Sequence, residues 1–265
     1  MKPSNPFSFK SGTGARWVRR VLVAVFWVGL WQIVCLITGH EYYLASPWSV
    51  LQSLWRLGGQ AAFWNSCVQT TGRILLGLFL GAALGCLLGT VTARLAWVEA
   101  LLQPLLALIK ATPVASFILL FLIWFRAPMV PVITTLLMVL PVVWENVKTG
   151  LSEIDETFLE MARAFRLHGW KKWRCLTIPA VRPYFRAACQ SAVGLGFKAG
   201  VAAEVLSNLR GSMGGGIYES KIYLETADLF AWTAAVVLLS LLLEQVVTRF
   251  LLWGEKPRNR RKTHE

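Results

Sequence analysis

No Gly-Lys dipeptide occurs anywhere in the 265 residues, so the chain lacks the G-x-x-x-x-G-K-[ST] loop that would cradle a nucleotide phosphate. Any ATP hydrolysis it depends on must belong to another subunit. Charged residues are also scarce, 15% against about 25% in a soluble domain. Apolar residues reach 55% without counting glycine, and the mean hydropathy is +0.53. That composition excludes disorder and an ordinary soluble enzyme. The 5 cysteines, Cys35, Cys67, Cys86, Cys175 and Cys189, contain no C-x-x-C pair, and the 3 histidines, His40, His168 and His264, are far apart. Neither a disulfide framework nor a metal site is indicated, and the cysteines read as small apolar residues. No histidine or aspartate falls in an apolar run, which excludes an intramembrane protease built on a serine–base pair or paired aspartates.

What is present is a surplus of positive charge, 27 Lys+Arg against 14 Asp+Glu, for a net +13. A nucleic-acid binder carries such charge on a water-facing patch. Here there is too little polar surface, and the charge fits the loops of an integral membrane protein.

Spanning helices need about 20 mostly apolar residues. Six segments qualify: 21–38, 74–93 with an extension upstream from Trp64, 99–125 interrupted at Pro113, 129–144, 184–206 and 229–252. With both termini in the cytoplasm, the inner segments hold 19 of the lysines and arginines, the outer ones 5 and the spans 3. The positive-inside rule selects that orientation. The expected organisation is a basic tail over 1–20, a six-span domain over 21–255 containing an inner loop at 146–183, and a basic tail over 256–265. The fold class is all-α, an integral membrane protein with both termini in the cytoplasm.

Between spans one and two, Ser46-Pro47 predicts a helix N-terminus, and Val50, Leu51, Leu54 and Trp55 give it an apolar face. Gly77, Gly81, Gly85 and Gly89 recur every four residues along span two, a stripe that lets helix backbones approach closely. Gly211-Ser-Met-Gly-Gly-Gly216 reads as a flexible turn in an outer loop.

The inner loop is the least membrane-like stretch. Thr157 and Glu160 fit a capping box, and Phe158, Met161, Ala162 and Phe165 follow at helical spacing. A turn at His168-Gly169 leads to Trp170-Lys-Lys-Trp-Arg174 and then Thr177-Ile-Pro179. On these residues alone, a basic amphipathic helix on the inner leaflet and a helix that enters a partner's groove both remain open.

The segment from Glu160-Met-Ala-Arg-Ala-Phe165 to Pro179 resembles the EAA loop of binding-protein-dependent ABC importer permeases, including the 19-residue separation of glutamate and proline. Leu44-Ala-Ser-Pro47, Pro113 followed by residues 119–125, Ala203-Glu204-Val205, Gly214-Gly-Gly216 and Asp228 resemble the nitrate/sulfonate/taurine branch, and the match covers about residues 20–255. The resemblance implies a type I permease of a bacterial cytoplasmic (inner) membrane, with no activity of its own and no bound cofactor, ATP and magnesium being held by a partner. It also implies a cytoplasmic ABC ATPase dimer docked on the loop, an external solute-binding protein and a permease homodimer. Transferred to this sequence, the ATPase-coupling residues are Phe158, Glu160, Met161, Ala162, Phe165, Arg166, Gly169 and Pro179. Arg166 stands where the family has glycine, with Gly169 as the alternative turn residue.

For the translocation path, Lys110 and Lys198 each lie 12 residues into their spans, about 18 Å, and Glu204 follows. Cations at that depth either pair with a carboxylate or bond freed carbonyls, or line a wet path suited to a small anion. The competing class is a secondary transporter of a small solute coupled through Glu204 and Glu244.

Overall fold

The computed structural model describes residues 13–39 and 43–253, which are helical with no strand. The expected C-terminal tail, residues 1–12 of the N-terminal one, His40 and His264 lie outside the described residues. Helix α1 (Thr13–Thr38) is, from Trp17 on, exposed and apolar around most of its surface. It meets the rest of the protein through Trp31 against Phe230, centroids 5.9 Å apart, and a Cys35 Sγ bond to the Leu44 carbonyl. Such a surface is at ease only in hydrocarbon.

Helix α2 (Pro47–Gly58) starts as the Ser46-Pro47 pair requires: the Ser46 hydroxyl accepts from the Ser49 amide at 3.1 Å. Its expected apolar face divides. Val50 and Leu57 turn inward onto Phe63, Trp232 and Ala235, while Leu51 and Trp55 stay exposed.

Helices α3 (Ala61–Thr92), α6 (Val130–Ser152) and α9 (Ile178–Leu206) form the centre, joined by α11 (Thr226–Trp253). α6 is the most enclosed, with Val139, Val143 and Val147 meeting Ile74 and Leu78 on one side and Val193 and Phe197 on the other. The glycine stripe of α3 lies on the α6 backbone: a Cβ at Gly77 would sit 2.6 Å from the Val132 carbonyl, and one at Gly89 2.7 Å from that of Trp144. In lipid, where hydrophobic burial between helices adds little, this closeness supplies the dispersion contact that holds the pair.

Helices α4 (Ala96–Ala111) and α5 (Val114–Trp124) meet at the break before Pro113 at an angle of 104°. Four described helices are long and apolar enough to cross a membrane, five if this bent pair counts as one crossing. The expected count of six exceeds this because α9, though 29 residues long, carries Arg182, Arg186, Lys198 and Glu204. Its interior position lets alanine and glycine replace larger apolar residues.

Beyond α6 come α7 (Glu156–Ala164) and α8 (Gly169–Lys172), then a π-helical turn (Trp173–Thr177) that runs directly into α9. The expected second loop helix is therefore the start of α9 rather than a separate element. α10 (Met213–Ile222) fills the connection between α9 and α11. The glycine run expected as a flexible turn is instead its first turn, capped by the Ser212 hydroxyl accepting from the Gly215 amide at 2.9 Å.

Candidate functional site

At the end of the bundle where α6 stops, α7 stands clear of the core. Its cap is Asp155, whose carboxylate accepts from the Thr157 amide at 2.9 Å, and not the expected Thr157–Glu160 box. Asp caps at least as well as Thr, so the helix begins earlier. That amide holds the Asp155 carboxyl below the usual carboxylate range.

The other end of α7 closes in a Schellman motif: the Arg166 amide bonds the Arg163 carbonyl and the Leu167 amide the Ala162 carbonyl, each at 2.9 Å. Arg166 takes φ +49° there, and Gly169 takes φ +55° three residues on. Arg166 thus holds the left-handed geometry glycine would adopt at less cost, and the turn shape survives the substitution.

Phe158, Met161 and Phe165 are exposed, Phe165 by 72%, whereas Ala162 is 2% exposed and turned toward the protein. The apolar face expected to include Ala162 consists of the other three. Glu160 and Pro179 are exposed on the same loop. Just beyond, Trp173 is half-buried under the Arg94 guanidinium, 5.0 Å from the ring centroid.

The opposite end is organised around Glu204, which has no exposed surface. Thr70 Oγ1 donates to Glu204 Oε2 at 2.8 Å and accepts from the Met213 amide at 3.0 Å. The Gly214 amide donates to the same oxygen at 3.2 Å, and Arg73 Nη1 to Oε1 at 3.1 Å. Arg73 also donates to Gln69 at 2.7 Å. The carboxylate faces the positive end of α10 and joins it to α3 and α9. The approach requires glycine: a Cβ at Gly214 would lie 2.4 Å from the Glu204 Cβ, and one at Gly216 2.4 Å from the Trp232 ring. Nearby, Arg56 Nη2 contacts both Asp228 oxygens at 2.5 Å, tying α2 to α11. Glu204 and Gly214 are thus parts of one joint with Thr70 and Arg73, which lie more than 130 residues from Glu204 in sequence.

Arg73, which just precedes the span expected over 74–93 and so counted among the outer basic residues, lies inside α3 because that helix begins at Ala61. Its signal in the sequence was its place 12 residues into an unbroken helical run.

Lys110 and Lys198 are not at matched depth. Lys110 Nζ donates to Glu145 at 2.8 Å, and the neighbouring Lys148 bonds Glu99, both near the α7 end of α6. Lys198 is near the other end, two residues from Gly196, whose carbonyl accepts from Thr135 Oγ1 at 3.2 Å. Ten residues of α6, about 15 Å, separate Thr135 from Glu145. The equal-depth expectation fails because α4 crosses α6 obliquely: the 11 residues from Glu99 to Lys110 meet only the 3 from Lys148 to Glu145. Lys198 is exposed on the stripe of α9 with Ser191 and Leu195, and has no hydrogen-bond or ion-pair partner among the described residues. Glu244 is half-buried on α11, and no three His, Cys, Asp or Glu cluster as metal ligands among the described residues.

Residues 77–253 match the family described as binding-protein-dependent transport system inner membrane component. The chain is 24% identical over 242 residues to the riboflavin transport system permease protein RibX of Chloroflexus aurantiacus, covering 88% of each. It is 22% identical over 228 residues to the taurine transport system permease protein TauC of Escherichia coli, covering 84% of this chain and 82% of that one. With the nitrate import permease protein NrtB of Leptolyngbya laminosa it shares 24% identity over 219 residues, 77% of each.

Proposed function

The chain belongs to the binding-protein-dependent transport system inner membrane component family, and from that premise we propose that it forms the membrane path of an ATP-driven importer for a small anionic solute of the sulfonate, taurine or nitrate kind. Two copies pair, an external binding protein delivers solute, and a separate ABC ATPase dimer, which holds the ATP and magnesium, docks on the α7 loops.

The observation that carries this reading is the Phe158, Met161 and Phe165 face. It is apolar, stands outside the packed helices and is held in shape by a cap at each end. An apolar helical face of that size fits a groove on a partner. Glu160, Arg166, Gly169 and Pro179 flank it, and Ala162 seats α7 on the rest of the chain. The path is proposed to cross through six helical passes, α1, α3, the α4–α5 pair, α6, α9 and α11, with both ends in the cytoplasm. The bias of basic residues toward one set of loops supports that orientation.

Within the path, Lys198 meets the anion, while Lys110 and Glu204 act through Glu145 and Arg73. A secondary transporter would need a carboxylate open to a coupling ion. Glu204 already accepts from three donors, which favours the importer reading.

Reconstitution tests it. The purified chain in liposomes is expected to hydrolyse no ATP, and to take up labelled taurine or nitrate only when the ATPase and binding protein are added with ATP. Uptake driven by an ion gradient without ATP, or hydrolysis by this chain alone, would overturn it.

A further inference from the structure

At the α7 end, between α3, α6 and the π-helical turn leading into α9, the structure holds an open cavity of about 310 Å³. Its walls include Cys86, Val147, Leu151, Trp173, Val181 and Phe185, with Thr90, Thr177 and Arg182 among the few polar residues that line it. At about 30 Å³ for a water-sized group, it has room for about ten such groups, the scale of part of an acyl chain. An almost wholly apolar lining disfavours water and polar solutes as occupants.

The surroundings are the opposite in character. Arg94, Lys171, Lys172, Arg174 and Arg182 are exposed, and none forms an ion pair among the described residues. Trp173 lies between cavity and basic residues, half-buried and covered by Arg94, as a tryptophan does at a membrane–water boundary. The turn that carries it is π-helical, a local widening that recurs at functional sites.

The geometry points to a binding site for one anionic phospholipid, with part of an acyl chain in the cavity and the phosphate among the lysines and arginines around Arg182. Charge complementarity selects this occupant: exposed cations without ion pairs beside an apolar slot match an anionic headgroup joined to hydrocarbon. Because the site sits beneath the turn joining α7's loop to α9, the lipid braces that junction. The site goes beyond the importer reading, and its test uses the chain without ATPase or solute, so the two can fail separately.

Cys86 in the cavity wall gives a readout on the unaltered protein, with exposed Cys175 on the same turn as its control. Added to the purified chain in detergent, palmitoyl-oleoyl phosphatidylglycerol is expected to slow N-ethylmaleimide labelling of Cys86 about tenfold more than phosphatidylcholine does, leaving Cys175 unchanged. Native mass spectrometry should show one tightly held phosphatidylglycerol per chain. Val181→Trp, which fills the cavity, should release it with the basic residues intact. Lys171→Gln with Lys172→Gln and Arg182→Gln should erase the preference over phosphatidylcholine. Equal protection by the two lipids, or none, would refute the site. So would equal protection by glycerol phosphate, which would mark a bare anion site, or full retention in Val181→Trp, which would mark a surface patch.

Discussion

Replacing Glu204 by alanine removes the acceptor of three hydrogen bonds at once, from Thr70, Arg73 and Gly214. Hydrogen bonds inside membrane bundles average about 0.6 kcal/mol, so the three amount to about 2 kcal/mol. Arg73, whose side chain is 18% exposed, is then left with a charge its surroundings no longer compensate. That adds on the order of 1–3 kcal/mol. The total, about 3–5 kcal/mol, matches the usual cost of breaking a buried ion pair from one side. For a bundle of this size, each kcal/mol lowers Tm by about 2–4 °C, so Glu204→Ala should melt at least about 6 °C below the parent in detergent. Adding Arg73→Leu to Glu204→Ala removes the stranded charge, and the double variant should lose clearly less than the two single losses combined. A Glu204→Ala chain melting within about 2 °C of the parent, or a fully additive double variant, would refute the account of Glu204 as the joint of α3, α9 and α10.

Arg166→Gly keeps φ +49° available without a Cβ and should slow amide exchange at Leu167, by about 1 kcal/mol of added protection, while Arg166→Val should speed it. Phe165→Asp should abolish co-purification of the ATPase with unchanged melting of the spans, whereas Ala162→Arg should disturb the loop itself and lower its protease resistance, because Ala162 faces inward. Lys198→Gln should lower uptake of an anionic solute several-fold with complex assembly intact, and leave uptake of a neutral one unchanged. The Asp155 carboxyl is depressed in the fold, so its cap contributes fully above the ordinary aspartate range and is lost only as pH falls below it. Amide protection in α7, corrected for the intrinsic pH dependence of exchange, should therefore be constant down to that range and fall beneath it, and Asp155→Asn should remove the dependence.

The α7 loop was legible in the sequence because its signals are local: a proline, a glycine and aromatic residues at fixed intervals. Its cap was misread since Asp155 and Thr157 both suit the role and only backbone geometry decides between them. Where long-range pairing decides, the sequence was silent. Glu204 could be singled out as an intramembrane carboxylate, but Thr70 and Arg73 lie more than 130 residues away from it. Depth along a span was legible only for a straight helix. Lys110 lies in the last turn of α4, just before a 104° bend, and α4 crosses α6 obliquely, so a distance counted in residues did not translate into distance through the membrane. The glycine stripe of α3 announced a close neighbour by its period, yet α6 as that neighbour required the fold.

From Gly169 to Leu206 the chain winds without interruption through α8, the π turn and α9, about 57 Å of helix in which one short stretch is wound more loosely. That stretch makes chain length an adjustable quantity. A turn closed by i→i+5 bonds spends about one more residue on the same rotation, so removing one residue between Trp173 and Thr177 would restore ordinary winding and keep the helix whole, with its loop side held at nearly the same bearing. The aromatic face of α7 would then still point the same way from the same helix core. A permease of this build can therefore gain or lose one residue at this turn without refitting its motor, with the packing of α3, α6 and α9 left as it is.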